Sequence, residues 1–270
     1  MQQRQKRTAL VLSGGGARGS YQVGALKAIA HIQPDGGMNP FDIICGTSAG
    51  ALNASMLACE SDHYGHAVKR LETLWQNLQS DQIHKVGYTQ LLKSTLRLFF
   101  SFFHDGIASG AASALLDNEP LRKLLSTEIN FDKLDEHINN GRLRALCITA
   151  LAYNSGHNIS FFQGSPNIKG WRRNQRLGVG TRLTHDHLMA SSALPTIFPP
   201  VKIDHEYFGD GAIRQRAPLS AALHLGAEKL FVVGVSYHEK EQEESQKPII
   251  HTPTFAQIAG HLLNSSFIDA

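Results

Sequence analysis

The tightest constraint in this sequence is a pair of glycine-flanked turns, each set between a short apolar run and a stretch with helical spacing. Thr8–Leu12 is apolar and β-rich, and it runs into Ser13-Gly14-Gly15-Gly16-Ala17-Arg18-Gly19. Residues 20–32 then place Tyr21, Val23, Ala25, Leu26 and Ile29 at helical spacing. Residues 41–45 form a second apolar run, followed by Gly46-Thr47-Ser48-Ala49-Gly50 and by a small-residue helix pattern over 51–59. Further helices are predicted over 68–78, 185–193 and 219–225. Further strands are predicted over 143–151, 158–163 and 230–235. Several of these strands are continuous apolar runs, the kind buried on both faces. Strands alternating with helices predict an α/β fold whose mainly parallel central sheet is covered on both sides.

Composition narrows the function classes. The chain has 270 residues, enough for one large domain or two small ones, and it can bury a core without disulfide or metal staples. A net charge of +3 is too small to argue for nucleic acid as the main partner. Cys45, Cys59 and Cys147 are odd in number and show no metal-ligand spacing. No disulfide framework or zinc site is expected, and a reducing compartment is. The basic N-terminus precedes an apolar run too short for a signal peptide, and no stretch approaches a transmembrane helix in length. A cytoplasmic location is therefore expected. The basic stretch Lys169, Arg172, Arg173, Arg176, Arg182 and the acidic group Glu239, Glu241, Glu243, Glu244 read first as solvated surface.

Each turn suggests chemistry. Gly14, Gly16 and Gly19 satisfy the dinucleotide-binding spacing between a strand and a helix, but the acidic residue expected about twenty positions on is not convincingly supplied. Asp35 lies in a turn, and Asp42 precedes its strand instead of ending it. The other reading is an oxyanion loop, in which amides of successive glycines at a helix N-terminus face a developing negative charge. Gly46-Thr47-Ser48-Ala49-Gly50 is G-x-S-x-G between a strand and a helix, the setting of a strained turn that exposes a serine nucleophile, with Gly46 and Gly50 giving it room. A serine hydroxyl needs a base. Among the 14 histidines, His185, His187, His205 and His224 are candidates, though none lies in a distinctive loop. Asp210 does, within Tyr207-Phe208-Gly209-Asp210-Gly211-Ala212. Taken alone, that hexapeptide reads equally well as a hairpin turn.

Taken together, the glycine loop, Gly46-Thr47-Ser48-Ala49-Gly50 and Asp210-Gly211-Ala212, in that order, resemble the patatin-like phospholipases, most of all their bacterial branch. The segments Ala190-Ser191-Ser192-Ala193-Leu194-Pro195-Thr196-Ile197-Phe198-Pro199-Pro200 and Pro218 to Gly226 also look like that family. The resemblance covers roughly residues 8–236, expected as the catalytic domain, with 237–270 an acidic loop and a helix that stops as if truncated. It implies a three-layer α/β/α sandwich and hydrolysis of lipid esters through a Ser48–Asp210 dyad, with no metal or other cofactor. It implies that Gly14, Gly15, Gly16 and Arg18 hold the oxyanion. Ala212 stands where many members carry glycine.

The expected partner is a phospholipid or other lipid ester. Residues 91–103 put Leu92, Leu96, Phe99, Phe100 and Phe103 at helical spacing with Lys93 and Arg97 between them. This reads either as a core helix or as a lid facing an anionic membrane at its inner surface, with the basic stretch around Trp171 adding attraction. A carboxylesterase or thioesterase acting on soluble substrates, and a catalytically silent lipid-binding module, are the competing readings. Oligomeric state is not legible.

Overall fold

The computed structural model describes residues 6–33, 37–78, 117–195, 197–215 and 218–235. The helical pattern at 91–103, and the acidic loop and helix expected within 237–270, lie outside these residues. In chain order the elements are β1 (Thr8–Leu12), α1 (Gly19–Ile32), β2 (Ile43–Thr47), α2 (Ala49–Cys59), α3 (Tyr64–Asn77), α4 (Glu119–Glu128) and α5 (Lys133–Asn139). These are followed by β3 (Ala145–Ala152), β4 (Asn158–Gly164), β5 (Trp171–Arg173), β6 (Arg176–Gly180), α6 (His185–Ser191), β7 (Val201–Ile203), β8 (Glu206–Asp210), α7 (Leu219–His224) and β9 (Lys229–Val233). Short 3₁₀ turns cover Gly16–Arg18 and Gly211–Arg214.

The sheet runs β5-β6-β4-β3-β2-β1-β9, and its heart, β9-β1-β2-β3, is parallel. Beyond β3, β4 and β8 join it antiparallel, and the antiparallel β5–β6 hairpin attaches through a parallel β4–β6 pair. Arg172 and Arg173 of the basic stretch lie on the edge strand β5, where charge deters pairing with another chain, and Arg176 begins β6. Side chains of β1, β2 and β3 alternate between two cores. Leu10, Leu12, Ile44, Leu146 and Ile148 pack with α1, α2 and α3. Ala9, Val11, Ile43, Cys45, Ala145 and Cys147 pack with Ala221, Ala222 and Leu225 in and just after α7. Burial on both faces is why these strands read as unbroken apolar runs. All three cysteines are free and buried.

Helices α4 and α5 are additions to the sequence reading. In α4 only Leu121 and Leu125 are buried, so its charged surface masks a weak apolar stripe. Arg70 holds α4 in place by pairing with Glu60 after α2 and with Glu128 at 2.9 Å. Strand β2 ends two residues later than expected, because Thr47 still pairs with Thr149.

One contact between backbone segments fixes the register of β1 against α2. A Cβ added at Gly50 would lie 2.6 Å from the Ser13 carbonyl oxygen and also press on that of Leu12. Gly50→Ala is expected to lose about 1–3 kcal/mol or more, because a main-chain obstacle cannot swing aside. Urea unfolding followed by circular dichroism measures this, and an unchanged midpoint would contradict so close an approach.

Candidate active site

Strand β3 has one edge shared by two partners. Residues 145–149 pair with β2, ending at Thr47 opposite Thr149. The next residue, Ala150, pairs with Asp210 at the end of β8. The chain therefore leaves the sheet at Ser48 where β8 enters it with Asp210. This handover brings together two side chains 162 residues apart, and the Ser48 hydroxyl donates to Asp210 Oδ2 at 2.6 Å.

Ser48 has φ 54° and ψ −127°, a conformation that costs a non-glycine residue about 1–3 kcal/mol. Its surroundings hold it there. The Ser48 amide donates to Ser191 Oγ at 2.9 Å, and Ser191 donates in turn to the Thr149 carbonyl at 2.7 Å. On the exit side, the Ala51 amide donates to the Ser48 carbonyl at 2.8 Å as α2 begins. Thr47 Oγ1 donates to Gln215 Oε1 at 2.5 Å. Gly46 is needed because a Cβ there would sit 2.6 Å from Ala51 Cα.

Asp210 is fully buried. Its Oδ1 accepts the Ala212 amide at 2.8 Å, which leaves Oδ2 for Ser48. Its own amide donates to the Ala193 carbonyl at 2.8 Å. Burial pushes its carboxyl up to about 6, against the opposing pull of the bonds from Ser48 and Ala212. Tyr153 lies against Gly209, and burial, helped by the Asp210 charge, pushes its phenol up.

The glycine loop borders the pair. A Cβ at Gly14 would be 3.3 Å from Ser48 Cβ and 2.7 Å from Ala212 Cβ, so the loop, the serine and the turn after Asp210 meet there. Among the described residues, no acceptor takes the amides of Gly14, Gly15 or Gly16. The Arg18 amide is used within the turn, donating to the Gly15 carbonyl at 3.1 Å, and its side chain is exposed. A buried network positions this loop. Gln22 Nε2 donates to the Ser13 carbonyl at 2.8 Å, and Asn53 Nδ2 donates to the Gly19 carbonyl at 3.0 Å and to Gln22 Oε1 at 2.9 Å. Trp75 Nε1 closes the network on Asn53 Oδ1 at 2.8 Å.

A cavity of about 500 Å³ opens over Ser48, bordered by Gly16 and Ala17 and walled by Leu52, Trp75, Leu121, Leu194 and Phe198. Sequence reading did not single out Ser191, Gln22, Asn53 or Trp75. Ser191 lay in a quoted motif, but Gln22 and Asn53 carry no local signal beyond being polar residues in apolar helices.

Three of the four histidine alternatives are engaged elsewhere, and the fourth, His205, is exposed in the turn between β7 and β8. His185 contacts the Ile129 carbonyl at 3.0 Å, His187 caps α6 through Thr184, and His224 contacts the Ser220 carbonyl at 2.8 Å. The dinucleotide reading fares no better. Asp42 accepts the Thr8 amide at 2.7 Å, at the opposite end of β1 from the glycine loop. Among the described residues, no three His, Cys, Asp or Glu side chains cluster so as to hold a metal ion.

The buried carboxylate makes stability depend on pH. The folded-state value lies above the ordinary carboxylate range, so the folded chain binds the proton more tightly than the unfolded one. Stability therefore falls as pH rises from about 4 to about 6, by about 3 kcal/mol. Asp210→Asn removes this dependence. The variant is expected to gain stability over the wild type at pH 8 but not at pH 4, as measured by urea midpoints at both values. A constant difference would contradict the burial cost.

The chain is similar to known proteins over most of its length. A family model described as Patatin-like phospholipase matches residues 10–223. A cGAMP-activated phospholipase of Pseudomonas aeruginosa is 28% identical over 215 residues, spanning 80% of this chain and 55% of the relative. A protein of the same description from Vibrio cholerae is 29% identical over 225 residues, spanning 80% of this chain and 56% of its own. The chain thus spans about half the length of the curated relatives it matches. Among solved structures, VipD from Legionella pneumophila aligns with TM-score 0.45 and 16% identity, over 77% of this chain and 46% of VipD.

Proposed function

This chain belongs to the patatin-like phospholipase family, and we propose that it hydrolyses carboxylic esters of lipids through Ser48 and Asp210. The observation that carries the reading is the 2.6 Å bond from the Ser48 hydroxyl to a buried carboxylate, at the mouth of an apolar cavity. In the first half-reaction Ser48 Oγ attacks the acyl carbonyl carbon while its proton passes to Asp210 Oδ2. The carbonyl oxygen becomes an oxyanion facing the amides of Gly14, Gly15 and Gly16, with the Arg18 side chain adding positive charge. Such donors contribute about 3–4 kcal/mol each. Collapse breaks the ester bond, and the leaving alkoxide takes the proton from Asp210. In the second half-reaction water attacks the acyl-enzyme and gives its proton to Asp210. Collapse then releases the fatty acid, and the proton returns to Ser48.

Burial makes this base fit for the task. An ordinary carboxylate is a weak base at neutral pH, whereas one raised to about 6 is stronger and still mostly ionised at pH 7. The apolar walls around Ser48 favour an acyl chain over a polar acyl group. Their volume of about 500 Å³ lies within the range of ligand sites. These walls favour lipid esters over small soluble ones as substrates. Among the described residues no helix is long and apolar enough to cross a membrane. The sequence pattern at 91–103 is the proposed contact with a lipid surface.

A fluorophosphonate probe tests the nucleophile. Wild-type protein is expected to label, Ser48→Ala not at all, and Asp210→Asn at least a hundredfold more slowly. Labelling that persists in Ser48→Ala would overturn the proposal. The wild-type labelling rate is also expected to fall tenfold per pH unit below about 6, as Asp210 protonates. In a p-nitrophenyl ester series, kcat/KM is expected to rise with acyl length from C4 to C10, and Leu52→Asn to flatten that rise. A series that peaks at acetate would favour the soluble-esterase reading.

A further inference from the structure

A second cavity, of about 540 Å³, lies away from Ser48 and is polar. It is lined by Asn158, Gln175, Arg176 and Arg214, with Gly156, Asn174 and Ile213. Asn158, Arg176 and Arg214 also line a small adjoining hollow that reaches Thr149, Trp171 and Gln215. Asn158 and Ser160, the β4 residues that line these spaces, face the opposite side of the sheet from the acyl cavity. Phe162, two residues on from Ser160 and four from Asn158, packs with Cys147, Trp171 and Ala221. Leu52, Trp75 and Leu121 pack instead with Leu146 and Ile148.

No acidic side chain is among the described residues lining this cavity. Neither Arg176 nor Arg214 has a carboxylate partner among the described residues. Arg214 is held in place by one bond, from Nη1 to the Gly156 carbonyl at 2.7 Å, which leaves its other N–H groups available. Asn158 is 6% exposed, and its buried Oδ1 has no donor. A buried acceptor left unmatched costs about 1–3 kcal/mol, which marks a place where a donor is wanted.

From this cavity we infer a binding site for a small phosphate ester that carries a free hydroxyl. The two guanidinium groups suit the phosphoryl oxygens, and Asn158 Oδ1 would accept the hydroxyl. The site is linked to the dyad through one turn. Asp210 starts the Gly211–Arg214 turn and Arg214 ends it, while the next residue, Gln215, accepts the Thr47 hydroxyl beside Ser48. An occupant holding Arg214 stiffens the turn that supplies the Ala212 amide to Asp210, so occupancy is expected to raise turnover. This coupling rests on the proposed dyad, whereas the binding does not.

Trp171 lines the hollow and reports binding by its fluorescence, with Trp75→Phe removing the other tryptophan. Titration with glycerol 3-phosphate is expected to give a saturable change at millimolar concentration or below, with inorganic phosphate weaker and glycerol silent. Arg176→Gln and Asn158→Leu, each checked for native circular dichroism, are expected to weaken binding by about tenfold or more. Turnover of p-nitrophenyl butyrate by wild-type protein is expected to rise at least twofold with the ligand, and not in Arg176→Gln. A response to phosphatidylglycerol vesicles alone, lost in Arg176→Gln, would assign the same site to a lipid headgroup. No saturable response to either source, or a response unchanged in folded Arg176→Gln, would overturn the site. Saturable binding with unaltered turnover would overturn the coupling.

Discussion

The site depends on how one edge of β3 is divided. A parallel partner occupies that edge as far as Thr149, and an antiparallel partner takes over at Ala150. Two strands that met end to end anywhere else along the edge would leave Ser48 and Asp210 apart. The Thr149 carbonyl marks the junction. It accepts the Ser191 hydroxyl, which in turn receives the Ser48 amide, and Gly211 passes so close to it that no side chain could fit there. The positions of the hydroxyl and the carboxylate are thus set by the same few main-chain atoms.

Unfavourable terms are concentrated here and offset nearby. Ser48 sits in a strained backbone conformation, and Asp210 is an ionisable group with no exposure. Neither would persist on a loose scaffold. The offset comes from apolar strands buried on two faces and from the Gln22–Asn53–Trp75 network, which ties both ends of the glycine loop to α1, α2 and α3. That network uses fully buried amides whose donors are matched, so it fixes position more than it adds net stability.

Much of this was legible in the sequence because local chemistry forces it. The parallel strands are unbroken apolar runs, and the turns at Gly46 and Gly50 must be small because backbone lies against them. The meeting of Ser48 with Asp210 was legible only through the order of motifs in a family resemblance. Nothing in Gly209-Asp210-Gly211 distinguishes a carboxylate at a strand junction from a hairpin turn. The β5–β6 hairpin was hidden because edge strands carry charge instead of an apolar pattern, and α4 because only two leucines anchor it. Ser191, Gln22 and Asn53 act through partners distant in sequence, which no spacing rule encodes.

The sequence separation of 162 between hydroxyl and carboxylate also bears on how the protein comes into being. A chain emerging from the ribosome exposes Ser48 and its glycine loop early, but β8 is made only after most of the sheet. On the chemistry proposed for this pair, a nascent or prematurely terminated chain lacks its base and cannot damage the membranes of the cell that makes it. Reactivity then arrives with the last strand insertion into the β3 edge. That insertion closes a long loop and is slow by nature, so lipid cleavage would serve as a late marker of completed folding.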